Sequence, residues 1–123
     1  MNNFIKKLET LKKQICNIDE LHKETFLNAV DQSINFTKKL PEFISHPDVQ
    51  YTLDGEVFFF WDKKPPLGFG DTLNNKVFVA FYGTDIGEYG YTYKDNGEFI
   101  PGKEYARIDS PIPIDLLKEL ELI

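Results

Sequence analysis

The chain has a single cysteine, Cys16, among its 123 residues. One thiol excludes an internal disulfide framework and a multi-cysteine zinc site. Histidine is almost as scarce. His22 and His46 stand too far apart in sequence to form a local metal pair, and no cysteine cluster completes a ligand set around either. Both read as surface or capping residues, and Cys16, beside the apolar stripe of a helix, reads as a buried inert thiol. Long apolar runs are missing too: stretches such as Val57 to Trp61 fall far short of the ~20 residues that span a bilayer. The N-terminal MNNFIKKLETLKK alternates charge with apolar residues and has no signal-peptide core, so the expected setting is the cytoplasm, away from membranes.

Catalytic patterns are equally thin. Ser33, Ser45 and Ser110 are the only serines, and none sits in a G-x-S-x-G elbow. Gly68-Phe69-Gly70 leads into a strand, so it lacks the helix N-terminus that holds phosphates. No cofactor, metal or catalytic residue is expected. Positive charge is in deficit, with 14 Lys and Arg against 20 Asp and Glu for a net charge of −6. Such a chain is poorly suited to a phosphate backbone, which argues against nucleic acid as a partner.

What is present is unevenly spread. A chain this short fits one domain, 1–123, able to bury a core without staples. Residues 1–50 hold seven Lys and seven acids, whereas 51–123 hold seven basic residues and thirteen acids, so the whole net charge lies in the second part. That part also carries seven of the eleven Phe, all six Tyr and the only Trp. Aromatics favour strands, so helices come first and a sheet second.

Phe4, Leu8, Leu11 and Ile15 repeat at helical spacing, predicting a helix over about 3–16. Asn17 or Asp19 offers an N-cap for a second helix, which turns Phe26, Leu27, Val30 and Ile34 inward and ends at Pro41. The pattern then shortens. Strands are expected at 49–52, 56–61, 76–82, 88–94 and 98–101, with an edge piece at Arg107 and Ile108. Asp54-Gly55 makes the first hairpin turn. Pro113 suits the first position of a last helix through Ile114, Leu117 and Leu120. The predicted class is α+β: a helical part (1–41), an antiparallel meander of about four strands (47–108) and a short C-terminal helix (112–123).

Two strands, Val57–Trp61 and Val77–Tyr82, are apolar on both alternating faces, so they are expected to be covered on both sides. Helices supply one cover. The 62–75 loop, a second copy of the chain or a partner protein would supply the other. Tyr89, Tyr91 and Tyr93 share one face opposite Gly90 and Thr92, and tyrosine is favoured at interfaces. With Trp61, Asp62, Asp85 and Glu88 they form the nominated partner-binding set, an acidic aromatic surface for a basic protein such as a nuclease or other nucleic-acid-binding effector. Two further readings stand beside it. One is a small hydrolase using strand-end carboxylates such as Asp54, Glu56, Asp71 and Asp85. The other is a platform on which the three tyrosines stack single-stranded bases.

The segment from Pro47 to Trp61 contains Thr52-Leu53-Asp54-Gly55-Glu56-Val57 and ends a strand in Trp. It resembles the hairpin signature of a widespread family of small bacterial proteins, whose layout also has a Leu-Pro after the helices (Leu40-Pro41) and an Ile-Pro before the last helix (Ile112-Pro113). The resemblance implies a setting beside toxin–antitoxin, phage and mobile-element genes, and it carries no catalytic residue. The expected function is therefore a non-enzymatic inhibitor, antitoxin-like or anti-CRISPR-like.

Overall fold

The structure, a computed structural model, describes residues 2–63, 75–95, 98–100 and 105–121. Helix α1 (Asn2–Leu11) buries Phe4 and Leu8, four residues apart on one face. The backbone then tightens into a 3-10 turn at Lys12–Asn17, and a second at Glu20–His22 leads into α2 (Lys23–Lys38). One helix over 3–16 was the expectation. Three residues per turn instead of 3.6 swings the later side chains off the apolar stripe. Ile15 stays half-buried, but Cys16 is exposed, which corrects its reading as a buried thiol.

α2 buries Phe26, Ala29, Val30, Ile34 and Phe36, along with two hydroxyls. Ser33 Oγ donates to the Val30 carbonyl at 2.6 Å and Thr37 Oγ1 to the Ser33 carbonyl at 2.8 Å, so both are satisfied inside the helix. Leu27, expected inward, is only half-buried.

Strands β1 (Asp48–Tyr51), β2 (Val57–Lys63), β3 (Asn75–Phe81) and β4 (Glu88–Asp95) pair antiparallel in sequence order. Two three-residue segments, β5 (Glu98–Ile100) and β6 (Tyr105–Arg107), both pair with β4, making the sheet six-stranded where about four strands were expected. Helix α3 (Ile114–Glu121) buries Leu116 and Leu120 and packs on β4. Pro113 lies just outside it, its carbonyl accepting the Leu117 N–H at 3.0 Å. The class is α+β, as the sequence predicts. No helix among the described residues is long and apolar enough to cross a membrane.

The core lies between the helices and one face of the sheet. Val57, Phe59, Trp61, Val77, Val79, Phe81, Tyr89 and Tyr91 point into it. Phe36 of α2 meets Phe59, Phe81 and Tyr89 edge-on, with centroids at 6.1, 5.5 and 5.2 Å. Each such pair adds about 0.5–1.5 kcal/mol beyond its buried area. The intervening residues Phe58, Phe60, Phe78 and Ala80 form the outer face and are half-buried, with the Phe60 and Phe78 rings tilted against each other at 5.0 Å. Of the 62–75 loop, one of the covers considered for that face, 62–63 and 75 belong to β2 and β3, and 64–74 lie outside the described residues.

Candidate interaction surface

The nominated partner-binding residues divide sharply. Tyr89, Tyr91 and Tyr93 share a face, as their spacing requires, but it is the helix-covered one. Tyr89 is 1% exposed against Phe36 and Phe81. Tyr91 is 4% exposed, and its hydroxyl donates to the Asp115 carboxylate of α3 at 3.3 Å. Tyr93 is half-buried. Gly90 does not open the opposite side, because an added Cβ there would collide with the Tyr82 hydroxyl. Burial pushes all three phenols up from their ordinary value. Neighbouring Tyr91 adds to the effect on Tyr89. Asp115 is the next cause for Tyr91, bringing it to about 12, and Asp115 and Glu119 are the next causes for Tyr93. Trp61 is 2% exposed and donates its indole N–H to the Ser45 carbonyl at 2.8 Å. Trp61, Tyr89 and Tyr91 are therefore core residues, not a partner face, and the tyrosines do not form a base-stacking platform.

Asp62 lies on β2 in register with Lys76, and its side chain is outside the described residues. Glu88 begins β4, half-buried and in register with Arg107. Asp85 is exposed, in the turn joining β3 to β4.

Around Asp85 the fold assembles something the sequence reading missed. Two adjoining hollows run along the flank of α2 and share Asn28, Thr84 and Asp85. Their floor is pinned by amides. Gln32 Nε2 donates to the Thr84 carbonyl at 2.8 Å, and its Oε1 accepts the Gly83 N–H at 3.1 Å. Asn28 Nδ2 donates to the Gly83 carbonyl at 3.4 Å. Gly83 has φ +70° and lies against the Thr25 backbone, where a Cβ has no room. The groove carries Glu24 at one end and Asp31 at the other, with Asp85 between them. Leu21 stands 91% exposed at its edge, and Ile86, next to Asp85, is 58% exposed. Asn28 and Gln32 sit four residues apart on one helix flank, and that spacing was the available signal.

Asp19, His22 and Asp54 also converge, the one set among the described residues whose donors could hold a metal ion. His46, by contrast, lies on the Phe4 ring, with centroids at 5.1 Å. No family model, curated protein or solved structure matches the chain.

Proposed function

We propose that this chain is a non-enzymatic protein-binding inhibitor of a bacterial conflict system, antitoxin-like or anti-CRISPR-like. It takes a basic surface of its partner into the groove between α2 and the β3–β4 turn. One observation carries this reading: Glu24, Asp31 and Asp85 share a groove with the exposed Leu21, on a floor held by hydrogen bonds from the Gln32 side chain to the backbone of the β3–β4 turn. Opposite charge steers the encounter and fixes register, while exposed aliphatics supply apolar anchors.

The acids there are open to exchange. Lys12 engages Asp31 at 2.6 Å with both side chains well exposed, and such surface pairs are worth little and are readily replaced. A basic partner, such as a nuclease or other nucleic-acid-binding effector, would lose its phosphate-binding surface to this groove. The conflict setting rests on the resemblance of the Pro47–Trp61 hairpin to the small bacterial family. Within that hairpin Gly55 and Trp61 are packing residues.

The test is a tagged pull-down from host lysate at low and high salt, comparing wild type with Glu24→Lys/Asp85→Lys. A basic protein held by wild type, weakened by salt and lost from the folded double variant is the expected result. The same protein retained by the double variant would overturn the groove as its site.

A further inference from the structure

Asp19, His22 and Asp54 each offer one ligand atom, and these atoms all lie within 4.8 Å of one another. His22 Nε2 is 3.8 Å from Asp54 Oδ1. Asp19 and His22 are three residues apart at a 3-10 turn, which sets their side chains side by side. Asp19 holds the N-cap position of that turn, where a carboxylate ordinarily accepts a backbone N–H, yet it makes no capping bond. Among the described residues, no lysine or arginine pairs with Asp19 or Asp54. Two carboxylates are thus gathered around one imidazole without a resident cation to offset their repulsion.

The main chain fixes this convergence. The Asp19 N–H donates to the Leu53 carbonyl at 3.4 Å, tying the start of the 3-10 turn to the β1–β2 hairpin. Gly55, at φ +88°, lies against α2 so closely that a Cβ would stand 2.8 Å from the His22 carbonyl and 2.9 Å from the Phe26 nitrogen.

We infer that Asp19, His22 and Asp54 form an open site for a divalent first-row transition cation, with Zn²⁺ the fitting probe. One imidazole nitrogen and two carboxylate oxygens suit such an ion better than Mg²⁺, which prefers oxygen ligands and keeps its waters. Three protein ligands leave a coordination position for water. The ion would clamp the β1–β2 turn to the start of α2, and binding the folded state alone raises its stability.

The experiment uses the untagged full chain, stripped of metal by a chelator and titrated with Zn²⁺ in a calorimeter. One saturable site per chain is expected, weakened at least about tenfold by His22→Ala and by Asp54→Asn separately, and unchanged by Cys16→Ser. Asparagine keeps the turn chemistry of Asp54, so loss of binding in that variant is not loss of the hairpin. A second measurement needs no variant: Zn²⁺ should shift the ring resonances of His22 and leave those of His46 in place. No saturable binding, binding indifferent to both ligand substitutions, or binding abolished by Cys16→Ser would overturn the site.

Discussion

Along β2 and β3, the residues Val57, Phe59, Trp61, Val77, Val79 and Phe81 face the helices, and Phe58, Phe60, Phe78 and Ala80 face away. Phenylalanine occupies both faces. The first set is almost wholly withdrawn from solvent, whereas the second is half-buried. An apolar run along a strand expresses a demand for cover. What meets that demand is decided elsewhere in the chain, here by where α1, α2 and α3 attach. The pleat then converts one side's cover into an alternation of burial that the residue types do not show.

The largest effect that separates the two faces comes from neighbours on one strand. Phe59→Ala removes a ring packed against Phe4, Phe36, Trp61 and Phe81, and it should cost about 3–5 kcal/mol of unfolding free energy. Phe58→Ala, half-buried, should cost roughly 1–2 kcal/mol. Urea unfolding of the two variants reads the difference directly. Equal losses would show that the outer face is sealed as fully as the inner. A Phe58→Ala loss that grows with protein concentration would identify a second copy as the seal.

Sequence periodicity conveyed the element order, the hairpin at Asp54-Gly55 and the shared face of Tyr89, Tyr91 and Tyr93. A period of two tells which residues lie together, but not on which side of the sheet the helices will settle, so those tyrosines were given the wrong side. On the other side of that strand, Gly90 offers little of its own to bury, and the Tyr82 ring lies over it, with Cζ 3.2 Å from where a Cβ would stand. Cys16 was misplaced because propensity does not announce where a helix tightens to three residues per turn. The groove and the Asp19, His22 and Asp54 cluster were illegible for a common reason. Each joins a helix to a hairpin turn distant in sequence, through hydrogen bonds and backbone contacts that only the tertiary fold brings about.

The contrast between covered and open sides extends to polar groups, where the smaller effects lie. Gln32 is 9% exposed and serves as both donor and acceptor for the β3–β4 turn. Gln32→Ala leaves the Gly83 N–H and the Thr84 carbonyl without their partner, a loss of about 1–3 kcal/mol. Amide exchange at Gly83 should quicken by more than at residues of β2, because the damage is local to the turn. Uniform quickening would mean that Gln32 holds the whole core and not the groove floor.

The tyrosines sharpen the comparison most finely, since two on the same strand and face differ in one hydrogen bond. Tyr91 donates to Asp115, whereas the buried Tyr89 hydroxyl has no partner among the described residues. Tyr91→Phe should cost about 0.5–1.5 kcal/mol near neutral pH, and Tyr89→Phe should be neutral or slightly stabilising, because it removes a desolvated group that gains nothing in return. Alkaline pH reverses the sense for Tyr91→Phe and enlarges it for Tyr89→Phe. Each phenol is held above its ordinary value of 10.0, chiefly by burial, with Tyr91 at about 12. The unfolded chain therefore gives up these protons first. Their contribution is fully present below pH 10 and drains away as pH rises toward 12. Unfolding free energy measured between pH 9 and 12 should fall less steeply in Tyr89→Phe and in Tyr91→Phe than in wild type. An alkaline slope identical in all three would show that these hydroxyls ionise as freely in the folded protein as in the unfolded chain, and that the inner face is not dry.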